Sequence, residues 1–399
     1  IYLLARRFAR TAIALIVAGA YAADPLVWVY SEVAYPYTLL AFLSVVLAAT
    51  FWQARGVLIP SLLFGALAGF RQDLLPLLGP LWLWTFFRPQ ALRERPWRER
   101  SIATLALAAG ALVWLIPTTL LSGGLVAYVE TVLRQTGSIG ETYSVPAHGL
   151  DALWANFHFT AQALGWGLFA LAPLTSLLAG ARLVGWMRAA RPLRALGPTQ
   201  AFFLVWIGPA LAFYVVVHIG EWGYVLSVLP GLYVLVAAGA ERLVRATPPA
   251  LVSWWRAAAI AVVLVPAMLF VGGADRFSAA ALARHDDALA ARTTYVRDHF
   301  APETTIVLAR EDYLLVRYYL PEYRAWLYDP QPYQKLAAKR KRAMRSTAIV
   351  IFTEGLRPQR QLDVRTVEVA PGIDIAYAPI EPGTVLEFYG ERYIVREGP

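Results

Sequence analysis

Nine apolar runs occupy most of the first 273 residues and constrain the fold more than any other feature of the chain. Five or six of them approach the roughly 20 residues that a helix needs to cross the hydrocarbon core of a bilayer. Apolar side chains make up 58% of the chain and charged ones 16%, too few to cover a soluble globule of 399 residues. The pattern predicts a polytopic α-helical membrane protein. The runs are 11–23, 35–53, 57–70, 74–87, 102–121, 157–180, 200–218, 223–240 and 257–273.

The distribution of charge predicts a domain boundary near Gly273. Residues 1–273 carry 28 Asp, Glu, Lys and Arg side chains, whereas the last 126 residues carry 35 of the total of 63. Residues 1–273 are therefore predicted to form a transmembrane domain and 274–399 a small α/β domain. In the latter we expect helices at 278–300, 313–320 and 331–345, and strands at 305–309, 324–328, 347–352, 364–369, 373–377, 385–388 and 392–395.

Arginine placement predicts the orientation in the membrane, because positive residues near helix ends resist translocation. Alternate connections between the apolar runs hold sixteen Arg residues in one set and only Arg71 and Arg134 in the other. The rich set is predicted to be cytoplasmic, so the C-terminal domain is predicted to be extracytoplasmic, on a plasma-membrane protein. The net charge of +9 thus reflects topology, and we expect no nucleic-acid partner.

Two further features bound the possibilities. The chain has no Cys, which excludes disulfides and thiolate chemistry within it. It opens on an apolar stretch from Ile1 followed by Arg6 and Arg7, which is typical of the cytoplasmic end of a helix. We therefore expect an N-terminally truncated sequence, and we identify no signal peptide.

The first candidate site is the predicted outer loop that contains Asp24, Tyr30 and Glu32. A carboxylate near the membrane is costly unless it is paired or functional. For Asp24 the favoured interpretation is a cap on the turn that begins at Pro25. For Glu32, a catalytic role and a place at a helix start are equally supported.

The second candidate is Gly69-Phe70-Arg71-Gln72-Asp73 at an outer helix end. A guanidinium there can bind a phosphate through two parallel hydrogen bonds. The alternative is an ion pair between Arg71 and Asp73.

The third candidate is the tight outer turn that contains His218, Glu221 and Tyr224. Imidazole, carboxylate and phenol lie within seven residues of one another, and loop or interfacial roles remain the alternative.

Weaker candidates lie elsewhere. The outer loop at 122–156 is predicted to be a lid or a solvated connector. His285-Asp286-Asp287 resembles a metal cluster only in composition, and the basic run at 339–342 is better explained as a solvated helix face than as a headgroup contact.

Three short motifs resemble bacterial GT-C glycosyltransferases, the polytopic relatives of protein O-mannosyltransferases and aminoarabinose transferases. The resemblance covers roughly residues 1–272. The motifs are Pro25-x-x-Trp28-x-Tyr30-x-Glu32-x-x-Tyr35, then Gly69-Phe70-Arg71 leading to Gly79-Pro80-Leu81-Trp82, and Gly223-Tyr224-x-Leu226-x-x-Leu229-Pro230.

The resemblance implies transfer of a sugar from a polyprenyl-phosphate carrier to a glycan, lipid or protein acceptor at the extracytoplasmic face of the bilayer. By position, Glu32 resembles an active-site wall residue, Arg71 a phosphate ligand, and His218 with Tyr224 groups near the lipid phosphate. From the residues and the resemblance together we expect catalytic roles for Glu32 and Asp73. We expect substrate-binding roles for Arg71, His218, Glu221, Tyr224 and Tyr30. The family's best-known acidic residue would precede Ile1. Several relatives carry Arg or Lys where this chain has His218 and Glu221. No cofactor is implied with certainty, and a divalent metal remains a candidate.

Two other classes of function stay open from the residues alone. A transporter or flippase for lipid-linked glycans would need polar residues along a path through the bilayer, and the apolar runs contain almost none at mid-depth. A non-catalytic envelope assembly protein would tolerate loss of Arg71 and Glu32.

Overall fold

The computed structural model describes residues 1–32, 36–53, 56–87, 96–171, 174, 197–217, 220–245, 252–273, 278–310, 312–327, 342–344, 347–352, 363–388 and 391–395. The chain divides into two compact units, Ile1–Ala279 and Ala280–Pro399. The sequence-based boundary at Gly273 lies six residues before this division.

The described part of the first unit is helical. Its α-helices are α1 (Tyr2–Ala5), α2 (Thr11–Ala22), α3 (Pro25–Glu32), α4 (Tyr37–Gln53), α5 (Leu58–Leu67), α6 (Leu74–Phe87), α7 (Pro96–Leu121), α8 (Leu125–Tyr143), α9 (Val145–Gly167), α10 (Pro198–Val216), α11 (Leu229–Arg245) and α12 (Val252–Gly272). A 3-10 segment, Trp222–Ser227, precedes α11.

Two of the described helices are long and apolar enough to cross a membrane, Trp97–Leu121 and Pro198–Val216. The pair α2 and α3 passes the same test only as one span, bent by 54° at its break. Shorter apolar helices are Tyr37–Gln53, Leu58–Leu67, Leu74–Thr85 and Ala257–Gly272. The prediction of a helical protein with membrane-spanning helices is therefore supported for two or three spans.

Two glycines bring α5 and α7 into backbone contact. A Cβ added at Gly65 would lie 2.1 Å from the carbonyl oxygen of Leu107, and one added at Gly110 would lie 2.2 Å from that of Leu62. The indole nitrogen of Trp114 donates to the Gly65 carbonyl at 2.9 Å. Small residues permit such an approach between helices that have little other driving force in lipid.

The same contacts show how α5 and α7 are oriented. Gly65 faces Leu107, and Gly69, two residues after the end of α5, faces Trp114. Because later residues of α5 meet later residues of α7, the two helices run parallel. The turn after α5 and the C-terminal end of α7 therefore lie at the same end of the helix pair.

The predicted loop at 122–156 is helical instead, which corrects the sequence-based interpretation. Gly123 and Gly124, with φ of 85° and 113°, turn the chain between α7 and α8. Gly149, with φ of 63°, interrupts α9. Of the glycines that suggested a loop, Gly123 and Gly124 mark a break between two helices, whereas Gly137 and Gly140 lie within α8.

The second unit contains two helices, α13 (Ala279–His299) and α14 (Tyr313–Tyr319). The first residue of α13 is the last residue of the first unit. The strands are β1 (Thr305–Ala309), β2 (Arg324–Leu327), β3 (Arg342–Met344), β4 (Ala348–Ile351), β5 (Arg365–Ala370), β6 (Ile373–Pro379), β7 (Val385–Phe388) and β8 (Glu391–Val395). They form a five-stranded sheet of order β2-β1-β4-β6-β5 and a three-stranded sheet of order β3-β8-β7.

In the larger sheet, β1 pairs in parallel with β2 and β4. β6 pairs in antiparallel orientation with β4 and β5. β1 and β4 are buried along their whole length, as expected for central strands covered on both faces. Val296, Val307, Val316 and Val350 belong to this unit's own hydrophobic core.

One predicted element of this unit is wrong where the structure describes it. Arg342–Met344, the end of the helix predicted at 331–345, forms strand β3 and pairs in parallel with β8. Pairing with a distant strand outweighs local helix preference there. Residues 328–341, including most of the basic run, lie outside the described residues.

Candidate functional site

The turn between α5 and α6 holds Arg71 in a defined orientation. Its Nε donates to Oδ1 of Asp73 at 3.1 Å and its Nη2 to Oδ2 at 2.5 Å, so the pair is bidentate. The two side chains are 18% and 23% exposed. Asp73 directly precedes α6, where a carboxylate complements the partial positive charge of the helix end.

Two tyrosine rings flank the Arg71 guanidinium. Its Cζ lies 5.0 Å from the ring centroid of Tyr224 and 5.3 Å from that of Tyr37. The two rings lie 5.3 Å from each other. Both distances from the cation are within the range of cation–π attraction. We call Tyr37, Arg71, Asp73 and Tyr224 the arginine box.

The arginine box keeps Arg71 charged. Burial lowers the pKa of its guanidinium, but the hydrogen bond and the charge of Asp73 raise it by more, so the pKa lies above its usual value. The Tyr224 side chain is a further hydrogen-bonding partner that raises it. Arg71 is therefore a permanent cation at a partly exposed position.

A glycine permits the contact between Tyr224 and the rest of the box. A Cβ added at Gly223 would lie 2.4 Å from the ring of Tyr37 and 2.7 Å from the ring of Tyr30. These distances are shorter than real Cβ contacts, so only glycine fits without displacing the rings. Gly223 is therefore required for packing in the site.

A buried hydrogen-bond network fixes the backbone of Tyr224. The Tyr214 hydroxyl donates to the Tyr224 carbonyl at 3.0 Å and also contacts Oγ of Ser227. Ser44 donates to the Ser227 carbonyl at 2.7 Å, and the indole nitrogen of Trp206 donates to Ser44 at 2.8 Å. The box is thus attached to α4 and α10 through groups with satisfied hydrogen bonds.

The structure brings four of the predicted site residues together. Arg71, Asp73 and Tyr224 form the box, and the buried Tyr30 packs edge-on against Tyr37 at 5.3 Å. The Arg71–Asp73 ion pair, which the sequence analysis left as an alternative to phosphate binding, is present. The ion pair uses N–H groups on Nε and Nη2. The guanidinium has five N–H donors, so others are left for further partners.

The remaining predicted residues are placed less completely. Glu221 is exposed and precedes the 3-10 segment, and its charge acts on Tyr37. Glu32 is the last residue of α3, and its side chain is outside the described part. His218 lies outside the described residues altogether.

Sequence reasoning missed Tyr37 and Tyr214. Both lie within predicted apolar runs, where a Tyr is usually an interfacial anchor. The only available signal was the repetition of aromatic residues in the motif that ends at Tyr35, two positions before Tyr37. No local pattern connects Tyr214 with Tyr224, because their contact depends on how α10 packs against the 3-10 segment.

Asp24 has the structural role that the sequence favoured. Its Oδ1 accepts from the backbone N–H groups of Leu26 and Val27 at 2.9 and 3.2 Å, which caps α3. Its Oδ2 accepts from the Tyr233 hydroxyl at 3.0 Å. These partners satisfy a buried carboxylate without any ligand.

Metal candidates find little support in the described residues. Within them, no three His, Asp or Glu side chains are grouped so as to hold a metal ion. His285 lies 3.6 Å from Asp312 and forms a simple pair.

Comparison with protein-family profiles, with curated proteins and with solved structures found no match to this chain. The class is therefore defined by the fold alone, as a mainly helical protein with two or three candidate membrane spans and a small sheet-containing unit.

Proposed function

We propose that the protein is a polytopic membrane glycosyltransferase that moves a sugar from a polyprenyl-phosphate carrier to a glycan, lipid or protein acceptor at the extracytoplasmic face of the plasma membrane. The arginine box carries this proposal. A partly exposed guanidinium, fixed by one carboxylate and two aromatic rings, lies at the turn between two apolar helices.

The chemistry of the box suits a phosphate that is attached to a lipid. Sugar transfer from such a donor releases a phosphate, whose developing negative charge needs fixed N–H donors. Asp73 neutralises Arg71 formally, so attraction would depend on hydrogen-bond geometry more than on net charge. Asp73 fixes one edge of the planar Arg71 guanidinium. The other N–H groups of the guanidinium therefore point in a defined direction.

The proposal assigns different roles to the two carboxylates. Both oxygens of Asp73 contact Arg71, so its first role is to orient the guanidinium. Glu32, two residues after Tyr30 in α3, remains the candidate for the base that takes the acceptor proton. Tyr30, Tyr224, Glu221 and His218 complete the proposed donor site.

The membrane placement belongs to the same proposal. We infer that the shorter apolar helices cross or enter the bilayer together with the two long ones, and that residues 280–399 lie outside the cytoplasm. Arginine placement in the sequence supports this orientation. Broken or short helices at membrane depth are tolerated where they are buried in protein.

The test is sugar transfer by the full-length protein in lipid nanodiscs supplied with polyprenyl-phosphate sugars. Arg71→Ala is expected to reduce kcat by about 10²–10³-fold, the usual cost of removing one charge-stabilising donor. Arg71→Lys should lie between wild type and Ala, because it keeps the charge but loses the planar geometry. Glu32→Gln is expected to abolish most of the activity.

Arg134→Ala is the matched control, since Arg134 is the other Arg predicted on the same side and is exposed. It should leave transfer unchanged. Unchanged transfer in Arg71→Ala would remove the site assignment. Absence of transfer by the wild type with every donor would favour a transporter or an assembly protein.

A further inference from the structure

Helix α8 begins where the membrane-spanning candidate α7 ends. α7 runs to Leu121, and α8 begins at Leu125 after the turn at Gly123 and Gly124. The side chains of Leu120 and Leu121 are exposed, as expected for the lipid-facing end of a span. If α7 crosses the bilayer, α8 has to begin at the bilayer surface.

One face of α8 is apolar and is exposed among the described residues. Leu125, Val129 and Leu133 recur every four residues, Val126 lies beside them, and all four are exposed, with 64% exposure at Leu133. Residues four apart lie on one side of a helix. These four residues form what we call the α8 apolar face.

The neighbouring face of α8 is charged. Glu130, Arg134 and Glu141 are exposed on it. A 19-residue helix with three charges is ill-suited to cross a bilayer. An apolar face joined to a charged face is the pattern of a helix that lies in the plane of the interface.

A third face of α8 contacts the turn that carries the arginine box. The hydroxyl of Tyr128 hydrogen-bonds with the side-chain amide of Gln72, which lies between Arg71 and Asp73. This turn and the C-terminal end of α7 lie at the same end of the α5–α7 pair. α8 is thus linked directly to the residues of the proposed site.

We infer that α8 is an interfacial helix whose apolar face is embedded among the lipids next to α7, and that it holds the arginine box at the depth of the lipid phosphates. The occupant of the α8 apolar face is the bilayer itself, because the face continues the exposed end of a candidate span. The depth of Arg71 rests on the proposed function and makes a lipid-borne phosphate its ligand.

Single cysteines test this directly, because the 399-residue chain contains none. Bimane is attached at Val129→Cys or Leu133→Cys in phosphatidylcholine–phosphatidylglycerol vesicles, with Thr131→Cys on another face of α8 as the matched control. Lipids with a nitroxide near the headgroup should quench positions 129 and 133 at least twofold more than 131. Aqueous iodide should show the reverse order.

Equal access of iodide to all three positions would overturn the interfacial placement. Protection of 129 and 133 from both quenchers would overturn it too, since another protein segment would then cover the face. Variants are compared only if their thermal unfolding midpoints match the wild type, and Leu125→Cys replaces a position that fails.

A label at the exposed Phe70→Cys tests the depth of the box. Headgroup nitroxides should quench it more strongly than nitroxides near the bilayer centre, and the opposite order would overturn the depth assignment. These readouts need no catalysis. A protein that transfers no sugar but shows the expected quenching would therefore contradict the proposed function and leave the interfacial helix standing.

Discussion

Individual residues in this protein are placed by partners far away in the chain, and Glu241 shows this most clearly. Its carboxylate is buried and accepts from the backbone N–H of Arg10 at 2.9 Å, from the Nε of Arg10 at 3.0 Å and from the Nε of Arg245 at 2.8 Å. The hydrogen bonds between Arg10 and Glu241 join the start of α2 to the C-terminal part of α11. The side chains of Arg10 and Arg245 are 50% and 72% exposed, in contrast to the buried carboxylate.

Glu241 should make stability depend on pH in the acid range. Glu241 follows the apolar run of α11. Hydrogen bonds from Arg10 lower the pKa of its carboxyl group from 4.5 to about 2, although burial by itself raises that pKa. A lowered carboxylate pKa stabilises the fold above pH 4.5 and loses that stabilisation as the pH falls toward 2. In detergent, the thermal unfolding midpoint of wild type should fall over this window, whereas that of Glu241→Gln should change less.

At pH 7 we expect Glu241→Gln to lower the free energy of unfolding by about 1–3 kcal/mol, because the hydrogen bonds from Arg10 and Arg245 lose their charged acceptor. Glu130→Gln, at an exposed position of α8, is the control and should behave as wild type. Parallel pH profiles for wild type and Glu241→Gln would contradict the role of this carboxylate.

At the scale of elements, direct contact between the backbones of α5 and α7, at glycines that have no side chain, holds the two helices together. Gly65 and Gly110 each lie against a backbone carbonyl oxygen of the other helix. A carbonyl oxygen cannot rotate away as a side chain can, so the contact tolerates no added atom without a shift of a helix. Because the arginine box follows α5, this contact also sets the position of Arg71.

Gly65→Ala should therefore destabilise the protein although Ala favours helices. We expect a loss of about 1–3 kcal/mol, the usual cost of overpacking. Gly79→Ala in α6 is the matched control, because among the described residues no atom beyond the adjoining backbone of its own helix lies within 4 Å of the added Cβ. That variant should be neutral or more stable by about 0.5–1 kcal/mol. Thermal unfolding in nanodiscs measures both, and equal midpoints would argue against the contact.

At the scale of the whole molecule, the second unit has the features of an independent domain. Among its described residues, both sheets pair strands of the unit with one another, and its core includes the fully buried Val307 and Val350. A domain with its own core and sheet can fold alone.

Residues 280–399 expressed alone should give a soluble, cooperatively unfolding protein. Far-UV circular dichroism during urea titration measures this. Val307→Asp is the control that should abolish the transition, because it buries an unpaired charge. A non-cooperative transition in the wild-type fragment would show that the unit depends on the helical region.

Topology can be measured with the same cysteine-free background. An impermeant maleimide applied to intact cells should label Ala283→Cys, which is exposed on α13, and should not label Trp97→Cys at the start of α7. Lysis should make both reactive. The reverse pattern would place residues 280–399 in the cytoplasm and remove the basis for an outer site.

The sequence alone predicted what local patterns encode. The order of helices and strands from α13 to β8, apart from the stretch that ends in β3, follows from apolar periodicity and turn residues, which depend on neighbours within a few positions. Asp24 as a cap was predictable for the same reason. The prediction of a loop at 122–156 was wrong, because a helix break such as the one at Gly123 and Gly124 and a loop share the same local signal.

Only the tertiary structure placed the arginine box and the bond between Arg10 and Glu241. Tyr37, Arg71 and Tyr224 come from three elements, and no periodicity within any one of them reports which ring faces the guanidinium. Arg10 and Glu241 each read as an ordinary charge at a helix end. Side-chain contacts between distant segments depend on how helices pack, which is a property of all the interfaces together and not of any single window of sequence.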